Sequence, residues 1–236
     1  MLLYYITNRR QFPGDEPARR ATLLQKISEA ARCGVDYIQL REKDLSGREL
    51  ESLACAAVQV VRKNSAADKS ATRILINSRT DLAIACAADG VHLTSTDVDP
   101  ADVRSVWRAA ASPSSVKTPH PNVAKSATLG WGTQPIIAVS CHSVEDMVRA
   151  ASSGADFAVL APVFEKRDAP DVRPAGLEVL RDVCRQPIPV VALGGITLEN
   201  ARPCIEAGAA GIAAIRLFQE NEIADVVRRL RGESKV

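Results

Sequence analysis

The sequence has no excess of charge of either sign: 30 lysines and arginines stand against 28 aspartates and glutamates, a formal net charge of +2. Nucleic-acid binders displace condensed phosphate counterions with a dense basic field, and no such field exists here. Also missing is any apolar run approaching the roughly 18 residues that cross a bilayer. The opening stretch, Met1 to Arg10, is apolar for six residues and then turns basic. A secretory leader has the reverse order. The six cysteines (Cys33, Cys55, Cys86, Cys141, Cys184 and Cys204) include no C-x-x-C pair. That absence argues against a zinc site or a disulfide framework and for reduced, mostly buried thiols. Together these gaps exclude nucleic acid and membrane as partners and point to a cytoplasmic protein that acts on small molecules.

The chain has 236 residues, 46% hydrophobic and 25% charged, an ordinary globular composition. Short β-rich runs alternate with helix-length stretches from end to end. The strand candidates are Leu3–Thr7, Asp36–Leu40, Arg73–Asn77, Gly90–Leu93, Ile136–Ser140, Phe157–Ala161, Pro189–Leu193 and Gly211–Ile215. Helical stretches include Glu16–Cys33, Gly47–Arg62, Val144–Ser153, Leu177–Cys184, Leu198–Ala207 and Ile223–Leu230. Eight strands joined by helices imply parallel pairing, and eight strands close a barrel. The fold class expected is α/β, a single (β/α)8 TIM barrel over residues 1–236. An open doubly wound sheet is the alternative. Four fragments before strands, Cys33–Asp36, Ala88–Val91, Ser153–Asp156 and Ala207–Gly211, repeat one αβ-turn chemistry in which a helix ends at a left-handed glycine. Residues 111–134, rich in Ser, Pro, Thr and Lys, read as a flexible insertion, and Asn64–Thr72 as a surface loop.

In a closed barrel, alternate strand residues point inward, and the C-terminal strand ends line the active site. The second strand puts Gln39, Arg41 and Lys43 on one face and Ile38 and Leu40 on the other. The apolar pair must meet the helices, so the polar trio faces the barrel mouth and forms an anionic-ligand site. Glu42 and Asp44 offer the competing reading, a self-neutralised surface cluster. Asn77, ending the third strand, suits a heterocycle or a diphosphate, while Asp81 reads as a helix cap. Asp97 follows the fourth strand, where either a hard-cation ligand or a capping aspartate belongs. After the fifth strand, His142 is placed for acid–base work or for capping, and Ser140 or Ser143 for an anion. Cys141 shows no activating environment. Lys166 and Arg167 lie in a charged loop that either covers a diphosphate or is solvated. Gly194 and Gly195, followed by Arg216 after the eighth strand, match the phosphate site built after strands 7 and 8, with amides and a helix dipole.

These pieces resemble the thiamine-phosphate synthase/thiazole tautomerase superfamily over nearly the whole chain. The matching motifs are Tyr5–Thr7, Gly34–Lys43 with its QLREK core, Ile76–Ala83, the DGVHL of Asp89–Leu93, Val139–Ser143, Gly176–Leu177 and the ALGGIT of Ala192–Thr197. The resemblance implies a transferase of thiamine biosynthesis. Such an enzyme condenses hydroxymethylpyrimidine diphosphate with thiazole phosphate, releasing diphosphate and giving thiamine phosphate. Carried over by position, Gln39, Arg41, Lys43 and Asn77 would hold the pyrimidine diphosphate and Asp97 would bind Mg2+. Ser140 would contact diphosphate and Gly195, with Gly194, the thiazole phosphate. Lys43, His142 and Lys166 are the candidate catalytic residues.

Three positions depart from the synthase pattern. Ser78 replaces a second metal aspartate, Phe164-Glu165-Lys166-Arg167 replaces a Thr-x-Thr-Lys loop, and Arg216 replaces a serine. A thiazole tautomerase, which needs a base at His142 and no metal, is the alternative, as is a non-catalytic thiamine- or phosphate-binding relative. Assembly into a homo-oligomer stays open.

Overall fold

The computed structural model of the chain describes residues 1–64, 71–111, 134–167 and 169–232. The expected insertion 111–134 therefore lies, apart from its two ends, outside the described residues, as does most of the loop 64–72. In chain order the elements are β1 (Leu2–Ile6), α1 (Glu16–Arg32), β2 (Tyr37–Leu40), α2 (Gly47–Asn64), β3 (Arg73–Asn77), α3 (Thr80–Ala85), β4 (Gly90–Leu93) and α4 (Pro100–Ala111). They continue with β5 (Ile136–Cys141), α5 (Val144–Ser152), β6 (Phe157–Leu160), α6 (Gly176–Val183), β7 (Val190–Leu193), α7 (Ala201–Glu206), β8 (Gly211–Ala214), α8 (Arg216–Gln219) and α9 (Ile223–Arg231). The eight strands pair in sequence order, all parallel, and β8 returns to β1 to close the barrel. The expected TIM barrel is what forms, and the open sheet is excluded.

Strand alternation divides the core. Outward residues such as Ile38, Leu40, Ile74 and Ile76 pack against the helices. Inward residues, among them Tyr4, Ile6, Leu75, Phe157, Val159 and Val191, fill the barrel. Tyr4, Tyr37 and Phe157 meet ring to ring there, with centroids 5.0–5.9 Å apart.

The recurring αβ turns do two jobs. Gly34, Gly154 and Gly208 take positive φ, +74°, +80° and +106°, which lets each helix end and the chain turn back at little steric cost. In three of the four fragments, all but Ala207–Gly211, an aspartate reaches across to the preceding strand. Asp36 accepts the Leu3 amide at 2.8 Å, Asp89 the Ile74 amide at 2.8 Å and Asp156 the Ile137 amide at 2.7 Å. Arg231, Arg73 and Arg104 pair with these same carboxylates. The Ala88–Val91 fragment departs from the expected turn, because its left-handed residue is Ala87, and Gly90 already lies in β4. Gly90 is required by crowding: a Cβ there would sit 1.9 Å from the Ile136 carbonyl oxygen of β5.

One expectation is overturned. Cys55 on α2 and Cys86 after α3 form a disulfide, with Cα atoms 4.8 Å apart, although reduced thiols were expected throughout. The two cysteines are 31 residues apart in sequence and meet only because α2 and α3 pack side by side, which no spacing rule reveals. Among the described residues no helix is long and apolar enough to cross a membrane.

Because backbone atoms cannot yield, Gly90→Ala should destabilise the protein by about 3 kcal/mol. Urea unfolding would show this as a lowered midpoint at unchanged slope. A change of under about 0.5 kcal/mol, the level of a neutral surface substitution, would refute the close approach of β4 and β5.

Candidate active site

A cavity of about 390 Å³ opens at the C-terminal mouth of the barrel. Gln39, Arg41, Lys43, Asn77, Ser140, His142, Lys166, Gly194, Gly195 and Arg216 all line it, so the residues singled out from six different strand ends converge. The two halves of its wall differ in character. β2 to β5 contribute inward polar groups, Gln39, Asn77, His92 and Ser140, whereas β1, β7 and β8 contribute Ile6, Leu193, Ala213 and Ile215. A ligand that fits therefore has one polar, anionic end and one apolar face.

The competing reading of the β2 cations is settled by Arg9, in the short 3-10 turn Arg9–Gln11 after β1. Its guanidinium bonds Glu42 at 3.1 Å, Asp44 at 2.7 and 3.0 Å and Glu16 at 2.8 Å. Glu42 is buried and accepts as well from the Thr7 hydroxyl at 2.7 Å and the Arg9 amide at 3.1 Å. Burial pushes the Glu42 carboxyl up, against the pull of these donors. The Asp44 carboxyl is held below its usual range by the Arg9 guanidinium. Arg9 thus engages both acids that would have neutralised Arg41 and Lys43, and among the described residues neither of those two cations has a carboxylate partner. Arg41 is held by its amide, which donates to Thr7 Oγ1 at 3.0 Å.

Polar groups from β2, β3 and the segments after β3 and β4 form a chain. Gln39 Nε2 donates to Asn77 Oδ1 at 2.9 Å, Asn77 Nδ2 to Ser78 Oγ at 3.0 Å, and Ser78 Oγ to Asp97 Oδ2 at 2.7 Å. Asp97 Oδ2 also accepts the Thr94 amide at 2.6 Å. Asp97 stands at the rim, linked to the cavity through Ser78 rather than lining it. Among the described residues no three His, Cys, Asp or Glu side chains gather as a metal site. Mg2+ commonly takes one or two carboxylates and completes its shell with phosphate oxygens and water. Asp97 beside the Ser78 hydroxyl fits that mode, with a single protein charge.

Beneath the mouth lies His92, a residue the motif contained but the sequence reading gave no role. It is buried between the Tyr4 hydroxyl, 2.8 Å from Nδ1, and Ser140 Oγ, 2.8 Å from Nε2. Burial, reinforced by the Arg41 charge, lowers its pKa to about 3, so the ring is neutral at physiological pH. Strand alternation was the signal available: His92 shares the inward parity of Gly90 and stands in register with Asn77. His142 is exposed at the mouth, and its Nδ1 lies 2.7 Å from the Ala161 carbonyl oxygen. A carbonyl only accepts, so Nδ1 carries the proton and, in the neutral ring, Nε2 keeps a lone pair. Ser143 is the cap of α5, accepting from the Asp146 amide. Asp81 pairs with Arg79 instead of capping α3. Burial pushes the Cys141 thiol up to about 12, which excludes it as a nucleophile at neutral pH.

The glycine pair is shaped by close packing. A Cβ on Gly194 would lie 2.7 Å from Pro162 Cα, and one on Gly195 2.4 Å from the Glu165 carbonyl oxygen. The loop after β6 is drawn onto them, with the Phe164 amide donating to the Gly194 carbonyl at 3.0 Å. This brings Lys166 over the cavity. The expected helix dipole is not at this turn, since α7 starts only at Ala201. The amides of Gly195 and Ile196 remain without an acceptor among the described residues.

Comparison with known proteins gives consistent results. The family model described as thiamine monophosphate synthase matches residues 3–112 and 122–218. The putative thiamine-phosphate synthase 2 of Aquifex aeolicus is 36% identical over 219 residues, covering 92% of this chain and 97% of that protein. The thiamine-phosphate synthase of Methanoculleus marisnigri is 34% identical over 86% of this chain and 83% of its own length. Among solved structures, the thiamine phosphate pyrophosphorylase of Pyrococcus furiosus aligns with a TM-score of 0.71 at 28% identity, covering 98% of this chain and 94% of that one. A 3-hexulose-6-phosphate synthase, at 14% identity and TM-score 0.62, shares the fold.

Replacing Arg9 by Met leaves a buried carboxylate without its countercharge, and stability at pH 7 should fall by about 3–5 kcal/mol. In that variant the Glu42 pKa in the folded state lies above its unfolded value near ~4.3, so stability is fully present below that pH and lost as pH rises. Denaturant titrations at pH 4.5 and 7 should therefore show the deficit narrowing in acid. An unchanged deficit would refute the role assigned to the pair.

Proposed function

This chain belongs to the thiamine monophosphate synthase family, and on that premise we propose that it joins hydroxymethylpyrimidine diphosphate to thiazole phosphate, giving thiamine phosphate and diphosphate. The observation that carries this reading is the pair of cations on β2. With Glu42 and Asp44 engaged by Arg9, Arg41 and Lys43 line the polar half of the cavity opposite an apolar wall, and Lys166 reaches the same cavity over Gly194.

The chemistry follows from that layout. Arg41, Lys43 and Lys166 hold the diphosphate, and Ser140 donates to one of its oxygens. The Gln39–Asn77 pair orients the pyrimidine edge. Bound Mg2+, held by Asp97 beside the Ser78 hydroxyl and completed by phosphate oxygens, would supply further neutralisation of the leaving group. As the methylene carbon–oxygen bond breaks, its electron pair leaves with the diphosphate, and the positive charge spreads into the aminopyrimidine. The thiazole nitrogen then uses its lone pair to form the carbon–nitrogen bond. The Gly195 and Ile196 amides fix the thiazole phosphate, placing the nitrogen near the reacting carbon. Stabilising the departing charge by fixed donors is the main contribution asked of the protein. The apolar wall of Ile6, Leu193 and Ile215 keeps water from capturing the cation.

One observation favours a second reading. His142 presents Nε2 to the cavity as a base when neutral, the equipment for shifting a thiazole proton without metal.

A coupled assay following thiamine phosphate separates the two. For the synthase, turnover requires Mg2+, stops in EDTA, and falls about 100-fold or more in Lys43→Ala, the scale of losing one charge-stabilising donor. Asp97→Ala should raise the Mg2+ concentration needed for half-maximal rate. Full turnover in EDTA would overturn the synthase mechanism. Metal-independent thiazole isomerisation, lost in His142→Ala, would establish the tautomerase in its place.

A further inference from the structure

Tyr4, His92 and Ser140 come from β1, β4 and β5 and meet inside the barrel directly below the cavity. Ser140 and the buried His92 both line the cavity, whereas Tyr4 lies buried behind His92 and does not line it. We propose that Tyr4 and His92 are positioning residues: they lock the Ser140 hydroxyl as a hydrogen-bond donor pointing into the cavity, which selects an anionic phosphoryl oxygen at that point. This inference rests on the reading of the cavity as a diphosphate site.

The direction of the chain follows from counting protons. The Tyr4 ring packs against the rings of Tyr37, Phe157 and His92, and its hydroxyl has His92 Nδ1 as its partner, 2.8 Å away. Burial holds the phenol in its protonated form. If His92 carried its proton on Nδ1, that N–H and the phenol O–H would compete for one line, and one buried donor would go unsatisfied. The satisfied arrangement has Tyr4 donating to Nδ1. A neutral imidazole has a single N–H, which is then on Nε2 and donates to Ser140 Oγ, 2.8 Å away. With its oxygen accepting from below, Ser140 has its own proton free for the cavity.

The reversed arrangement would cost recognition. Were Nε2 the acceptor, the Ser140 proton would turn down into the barrel and the cavity would meet only oxygen lone pairs, which repel a phosphoryl oxygen. All three members of the chain are uncharged, so they fix the direction of a dipole without adding charge below the reacting centre. Among the described residues the Tyr4 hydroxyl has no hydrogen-bond partner besides His92.

The experiment has two arms. The first reads the His92 tautomer in the free protein by long-range 15N–1H correlation on histidine-labelled chain. The sequence has three histidines, so His120→Asn and His142→Asn variants isolate the His92 signals. The expected result is a single neutral tautomer protonated at Nε2. Protonation at Nδ1, or an exchanging mixture, would overturn the proposal.

The second arm measures the affinity for inorganic pyrophosphate by calorimetry in wild type, Tyr4→Phe, Ser140→Ala and the double variant, each shown folded by circular dichroism. Each single variant should bind about three- to tenfold more weakly, the scale of one hydrogen bond. The double variant should be no weaker than Ser140→Ala, because Tyr4 acts through Ser140. Losses that simply multiply would make Tyr4 a packing residue and overturn the relay. If wild type binds no pyrophosphate at all, the diphosphate reading of the cavity falls, while the tautomer still judges the relay on its own terms.

Discussion

The ion pair between Arg9 and Glu42 is the constraint on which the mouth of the barrel depends. Strand alternation puts Arg41 and Lys43 toward the cavity, and the same alternation forces Glu42 out between them into a place where it is buried. A buried carboxylate must be paired and hydrogen-bonded, and one left to its neighbours in sequence would take Arg41 or Lys43. Arg9, Thr7 and the Arg9 amide satisfy it instead. The loop that carries Arg9 is itself fixed from the other side. Gln219 of α8 accepts the Asn8 amide at 2.8 Å and donates to the Asn8 carbonyl at 3.0 Å, while the Tyr5 hydroxyl donates to it at 3.2 Å. β1, β2 and the segment after β8 are thereby joined at one level, and Arg41 and Lys43 line the cavity without a carboxylate partner among the described residues.

Below that charged rim the barrel changes character. The chain has three tyrosines, four phenylalanines and two tryptophans, and it places Tyr4, Tyr37 and Phe157 in the barrel interior with His92. Every polar group at this depth is neutral: a phenol, an imidazole held far below its usual pKa, two amides and a hydroxyl. In the cavity wall, charge sits on the long side chains Arg41, Lys43, Lys166 and Arg216 at the mouth. The division suits a reaction in which a strongly anionic group leaves from one end. Cations at the rim attract that group, while neutral dipoles beneath orient it without creating a second charged centre in low dielectric.

Much of this was legible in the sequence, for a geometric reason. A strand offers only two faces, so once Ile38 and Leu40 are assigned to the helical layer, Gln39, Arg41 and Lys43 have nowhere to point but inward. The same parity, carried one strand further, would have found His92. What parity could not supply is contact between distant segments. Arg9 meets Glu42 across 33 residues, Tyr4 meets His92 across 88, and Cys55 meets Cys86 only through helix packing. Gly90 was read as a turn glycine because its fragment resembles the others, yet the reason for it is the backbone of β5, which lies next to it only once the sheet has formed. The helix expected over Leu198–Ala207 forms as Ala201–Glu206, so its dipole starts farther from the glycine pair than expected.

Ser78 is where sequence and structure together say more than either alone. It takes a left-handed φ of +57°, a region where a residue other than glycine is uncommon. The backbone is held there on every side: the Ser78 amide donates to the His92 carbonyl at 2.9 Å, and its hydroxyl joins Asn77 to Asp97. A carboxylate at this position would face Asp97 as a like charge and would need a cation between them. A serine reverses that relation, because its proton binds the very oxygen a second acid would have repelled. The rim is therefore stable with no metal present, and any cation would have to displace the Ser78 hydroxyl or share Asp97 through its other oxygen. On the proposed reading, a single protein carboxylate would leave most of the metal affinity to the oxygens of the diphosphate, and the two would bind as partners.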